Sequence, residues 1–149
     1  ALLDIGVYPL HLCLSLFGMP EEIHARSVYL DNGFEGAGTL LLSYEKQGFT
    51  ADISYSKVQN AVIPSVIEGE DGAFTIDKVT EPHEILFLPR GGAPNRLPIS
   101  PEESNMRYEI EAFLAMTRGE RSATPYLDLT ENTLTLMDKA CPYPAPHGR

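Results

Sequence analysis

Three rhythms of apolar and polar residues follow one another along the chain. From Ala1 to Phe17 the residues are mostly apolar, with Leu3, Val7, Leu10 and Leu14 at helical spacing. Gly18-Met19-Pro20 supplies a stop, with glycine just past the helix end and proline beyond it. Pro9 falls inside the pattern, where it removes one backbone donor and favours a kink. From about Glu22 to Ile99 the rhythm shortens. Phe49, Ala51, Ile53 and Tyr55 alternate with Thr50, Asp52, Ser54 and Ser56, the period-2 pattern of a strand with one wet face. Gly38 to Tyr44 is apolar on both sides of its alternation and reads as a strand covered on both faces. Glu45-Lys46-Gln47-Gly48 joins the two as a hairpin turn. Ser65–Glu68 and Ala73–Ile76 flank a second turn, Gly69-Glu70-Asp71-Gly72, and Glu84–Leu88 is a further short strand.

The last stretch is helical again. Ser100-Pro101-Glu102-Glu103 puts a capping serine before a proline at the first helical position, with glutamate three residues after the cap. Ile110, Phe113, Leu114 and Thr117 then share a face, and Arg118-Gly119 ends the helix. Asp128-Leu129-Thr130-Glu131 repeats the capping signature. Leu129, Thr133, Leu136, Met137 and Ala140 form the stripe of a second helix, stopped by Pro142. The tail 142–149 has no periodicity and reads as an extended terminus. Helix, strands and helices in that order predict an α+β fold: an open, mostly antiparallel (mixed) sheet with helices on one face, over residues 1–141.

Composition narrows the function. A hydrophobic share of 43% with 21% charged residues fits a globular protein. The net charge of −10 opposes phosphate backbones and anionic lipid, so neither nucleic acid nor a membrane surface is an expected partner. No apolar run approaches the ~20 residues of a membrane span. Cys13 and Cys141 have no metal-type spacing around them. They read as free thiols of a reducing cytosol, which places the chain in the cytoplasm without a metal site.

Candidate chemistry sits in the first helix. Asp4, Tyr8 and His11 are spaced i, i+4 and i+7 and so project from one face. A carboxylate, a phenol and an imidazole on one stripe can hold a hydroxyl group and move its proton. The plainer alternative has Asp4 capping the helix, Tyr8 packing on the sheet and His11 half-buried and satisfied. Gly33, Gly36, Gly38 and Gly91-Gly92 never form GxGxxG, and the chain has no Walker loop, HExxH or GxSxG. No dinucleotide cofactor is therefore expected on this chain by itself.

The segment Ala1-Leu2-Leu3-Asp4-Ile5-Gly6-Val7-Tyr8-Pro9 resembles the motif that opens the C-terminal domain of the glucose–fructose oxidoreductase / inositol dehydrogenase family (Gfo/Idh/MocA). Further similar segments follow in order. Val66 to Asp77 resembles the family's strand–turn–strand, Asn105 to Phe113 its late substrate-side helix, and Asp128 to Ala140 its final helix. A tyrosine at position 8, where inositol-type members have histidine, is the pattern of dihydrodiol dehydrogenase-like members. The resemblance implies a two-domain NAD- or NADP-dependent dehydrogenase. In it an N-terminal Rossmann domain, absent here, binds the cofactor and supplies a lysine from a Glu-Lys-Pro motif. Hydride moves between nicotinamide and a hydroxyl-bearing carbon of a sugar, cyclitol or diol. The C-terminal domain holds the substrate and dimerises through its sheet.

Carried over by position, the resemblance makes Asp4 and Tyr8 catalytic and places Tyr108 beside the substrate. His11 stands where some members have a second aspartate, and is kept as a substrate-binding candidate. The chain is then expected to be a piece of a longer enzyme, inactive alone. The rival reading is a non-enzymatic β-sheet module for binding or assembly. A small hydrolase built on Asp4 and His11 lacks a nucleophile in a recognisable elbow.

Overall fold

A computed structural model of the protein describes residues 1–99 and 106–140. The capping signature at 100–103, the start of the late substrate-side segment, Cys141 and the tail 142–149 lie outside the described residues. The chain forms two compact units. One is made by Ala1–Asn60 with the chain from Thr124 onward, and the other by Ala61–Ala123. Among the described residues no helix is long and apolar enough to cross a membrane.

In the first unit, strands β1 (Glu22–Tyr29), β2 (Glu35–Tyr44) and β3 (Phe49–Ser56) form an antiparallel sheet in the order β1-β2-β3. Its inner face carries Leu40, Leu42, Tyr44, Ile53 and Tyr55, all buried. Two helices cover that face, α1 (Val7–Phe17), which follows a π-helical turn at Leu2–Gly6, and α3 (Thr124–Ala140). They contribute Leu2, Leu10, Leu14, Leu136, Met137 and Ala140 to the same core. Phe17, Tyr44 and Phe49 close one end of it, the last two stacked with ring centroids 4.6 Å apart. The Tyr44 hydroxyl donates to the Gly18 carbonyl at 3.1 Å and so satisfies the chain where α1 ends.

The first helix departs from its sequence pattern in phase. Leu2, not Leu3, faces the core, and Leu3 is 71% exposed. The cause is the π turn. Two α turns back from Leu10 lead to position 3, but a turn closed by an i→i+5 bond consumes one residue more and rotates Leu2 inward. The Gly6 N–H closes such a turn on the Ala1 carbonyl at 3.3 Å. Pro9 supplies a reason for the wide turn, since its ring crowds the carbonyl four residues back.

The strand at Gly38–Tyr44 is covered on one face only within this unit. Leu40, Leu42 and Tyr44 are buried, whereas Thr39 and Leu41 are exposed. Leu41 is the one large apolar side chain that β2 places outward, level with His24 of β1 and Asp52 of β3. The final helix starts a turn earlier than its Asp128 signature suggests. Pro125 sits in the first turn, where the missing N–H is not needed. The stripe itself holds: Thr133, Leu136, Met137 and Ala140 are buried.

The second unit contains strands β4 (Ser65–Gly69), β5 (Gly72–Ile76), β6 (Ile85–Pro89) and the short β7 (Asn95–Arg96), antiparallel in the order β4-β5-β6-β7. Phe74 and Phe87 pair across β5 and β6 with centroids 4.8 Å apart. Helix α2 (Met106–Thr117) belongs to this unit and buries none of its residues. Its end is a glycine-stopped turn: Gly119 has φ +73°, and the Glu120 N–H returns to the Ala115 carbonyl at 2.9 Å. All described strand pairings are antiparallel, in two sheets, and the fold is α+β.

Candidate active site

The first helical turn is anchored from beneath by one carboxylate. Glu35 opens β2, and its Oε2 accepts hydrogen bonds from the Leu2 N–H at 2.7 Å and the Ala1 ammonium at 2.9 Å. Its Oε1 accepts from the Ser27 hydroxyl at 2.6 Å and the Tyr55 hydroxyl at 2.9 Å. Burial would raise the carboxyl pKa. Hydrogen bonds from Leu2, Ser27, the Ala1 ammonium and Tyr55 outweigh it and bring the value down to about 2. A bulge aims the side chain. Val28 pairs with Ala37 and Tyr29 with Glu35, so Gly36 is skipped and Glu35 turns to the inner face. Tyr55 reaches Glu35 because two glycines leave room. A Cβ on Gly38 would fall on the Tyr55 hydroxyl, and one on Gly6 would lie 2.9 Å from the Tyr55 ring.

Above this anchor, Asp4, Tyr8 and His11 lie on the exposed flank of the helix, opposite Leu2, Gly6, Leu10 and Leu14. Asp4 makes no cap hydrogen bond. Its Oδ2 lies 2.5 Å from the Lys57 ammonium, and the hydrogen bond and charge of Lys57 hold the carboxyl below the usual carboxylate range. Tyr8 is 51% exposed rather than packed on the sheet. His11 Nδ1 lies 3.3 Å from the Thr133 hydroxyl of α3. That hydroxyl donates to the Leu129 carbonyl at 2.7 Å, so it accepts the Nδ1–H and leaves Nε2 as the open acceptor. Tyr108 is on α2, in the other unit, and is 45% exposed.

Three of these partners escape a reading of the sequence. Lys57 had a signal. Continuing the β3 alternation puts it in phase with Ile53 and Tyr55, on the side the helices cover, within reach of the first helix. Glu35 had none, because simple alternation sends it outward with Thr39 and only the bulge reverses it. Thr133 was legible as part of a buried stripe, but not as the partner of His11.

Among the described residues no three or more His, Cys, Asp or Glu side chains gather as a metal ion's ligands would. The glycines at Gly33, Gly48 and Gly69–Gly72 connect strand to strand, so none forms the strand-to-helix turn that cradles a pyrophosphate. Those turns therefore do not supply such a cradle, and the groups on the helix flank are ones that can accept and pass a proton.

Known proteins resemble the chain in fold and in sequence. No protein-family model matches the chain. The solved structure of UDP-N-acetylglucosamine 3-dehydrogenase GnnA from Acidithiobacillus ferrooxidans shares the fold at TM-score 0.64 and 21% identity, over 81% of this chain and 41% of that one. The putative oxidoreductase yvaA of Bacillus subtilis does so at TM-score 0.69 and 17% identity, over 93% and 48%. The class is thus a domain fold found in oxidoreductases. In sequence, the chain is 34% identical over 133 residues to scyllo-inositol 2-dehydrogenase (NADP(+)) IolU of Bacillus subtilis, which is 89% of this chain and 38% of that protein. It is 30% identical over 137 residues to the uncharacterized oxidoreductase YgjR of Escherichia coli, 92% and 41%. The chain spans about two fifths of the length of these curated relatives. Relatives and fold together fit a C-terminal domain of the Gfo/Idh/MocA family.

Proposed function

We propose that this chain is the substrate-side domain of an NAD(P)-dependent dehydrogenase acting on a hydroxyl-bearing carbon of a sugar, cyclitol or diol. A preceding Rossmann domain would hold the dinucleotide, whose nicotinamide exchanges hydride with that carbon. The observation that carries the reading is the 34% identity to a dehydrogenase of a cyclitol. The exposed flank of the first helix supports it. Asp4, held ionised, accepts a hydrogen bond from the substrate hydroxyl and fixes its orientation. Tyr8 passes the hydroxyl proton between substrate and solvent as the carbon changes oxidation state. His11, with Nε2 open, orients a neighbouring hydroxyl. The domain would work in the cytoplasm as a homodimer paired through its sheet, with the outer face around Thr39, Leu41 and Asp52 part of the contact.

The test is an assay of a polypeptide that carries this chain behind the dinucleotide-binding domain proposed to precede it. Nicotinamide reduction is followed with scyllo-inositol, other cyclitols, aldoses and vicinal diols, with NAD+ and NADP+ in turn. Turnover on at least one polyol is expected. Tight cofactor binding with no turnover on any hydroxylated substrate would favour a non-enzymatic assembly module.

A further inference from the structure

We propose that Lys57 is a positioning residue of the Asp4 site: its ammonium holds the Asp4 carboxylate in one orientation, so that Asp4 meets its ligand as a hydrogen-bond acceptor. The proposal rests on the reading of Asp4 as the residue that receives the substrate hydroxyl. It stands on placement. Lys57 directly follows β3, and its backbone N–H is pinned to the Gly36 carbonyl at 2.8 Å. The lysine is therefore fixed at its root, in phase with Tyr55, beside the first helical turn. From there the ammonium reaches Asp4 Oδ2 at 2.5 Å. The ion pair is made through Oδ2, and Oδ1 is the oxygen offered to a ligand.

Few other charges compete. Among the elements packed on this turn, β2 brings Glu35, whose two oxygens face inward and take four donors. Tyr8 and His11 share the helix, and the His11 partner on α3 is the neutral Thr133. Both partners are partly exposed, with 45% of the Lys57 and 67% of the Asp4 side chain accessible. Removing the lysine should therefore cost little stability and act mainly on the orientation of the Asp4 carboxylate and on its titration in acid.

The experiment is a carbon-detected NMR titration of the Asp4 carboxyl in this chain, in Lys57→Met and in Lys57→Arg. Asp4 is expected to titrate below the ordinary carboxylate range in the unaltered chain, to shift upward in Lys57→Met, and to stay low in Lys57→Arg, which restores the charge. An Asp4 midpoint that is the same in the unaltered chain and in Lys57→Met overturns the proposal. So does an ordinary midpoint in the unaltered chain. Asp4→Asn, assayed in the longer polypeptide, tests the functional reading separately. Undiminished turnover there sinks that reading, while the titration still reports the ion pair.

Discussion

The hydroxyl of Tyr55 lies 2.9 Å from Oε1 of Glu35, and this contact ties β3 to β2 directly beneath the helical turn that carries Asp4. A neutral donor on a partly buried, ionised acceptor contributes more than an ordinary hydrogen bond, on the order of 1.5–3 kcal/mol. Tyr55→Phe should therefore destabilise the chain by about 1–3 kcal/mol. Glu35→Gln should cost at least as much, because four donors lose their charged acceptor. A double-mutant cycle by urea denaturation should show the pair coupled, the double variant costing less than the two single losses added. Additive losses would mean that the contact is not energetically used.

Glu35 also sets a pH dependence. Its carboxyl is ordinary near 4.5 in the unfolded chain and held at about 2 in the folded one. A depressed folded pKa stabilises above the unfolded value, and that contribution is lost as pH falls through the folded one. Acid should weaken the chain progressively between those two values, by roughly 2–3 kcal/mol from this group alone. Thermal unfolding from neutral pH down to the acid limit of the fold should show this slope, flattened in Glu35→Gln.

Gly6 is a space requirement rather than a matter of backbone freedom. A Cβ there would lie 2.9 Å both from Leu2 Cδ1 and from the Tyr55 ring, so one of these two buried side chains must shift. Gly6→Ala should cost about 1–3 kcal/mol through overpacking, although alanine is the better helix former. Calorimetry would show a lowered Tm. A raised Tm would place the ring elsewhere.

Self-association follows from the proposed pairing of the sheet. Sedimentation velocity should show a dimer that tightens with added salt, as the net charge of −10 is screened. Leu41→Lys on the outer face should weaken it. A monomer of 16.4 kDa at tens of micromolar in low and moderate salt alike would remove the proposed dimer.

Much of the fold was legible because most segments obey one rule at a time. The alternation in Phe49–Ser56 gave β3 directly, and the stripe Leu129 to Ala140 gave the buried face of α3. Reading failed where a local device changed the count. The π turn shifts the buried position from Leu3 to Leu2, and the bulge at Gly36 turns Glu35 inward. Both are one-residue insertions into a regular pattern, and periodicity cannot reveal them. The candidate site was legible as far as Asp4, Tyr8 and His11 share a helix flank. Lys57, Glu35 and Thr133 come from other segments, so only the folded chain brings them alongside.

The central claim is that the exposed flank of the first helix moves a proton for a dehydrogenase. Its most direct test is steady-state turnover of Tyr8→Phe against the unaltered enzyme, in the polypeptide that includes the dinucleotide-binding domain. The substitution keeps the ring and removes only the hydroxyl. A kcat lowered on the order of 10²–10⁴-fold with KM little changed is the predicted result. Undiminished kcat in Tyr8→Phe would contradict the account.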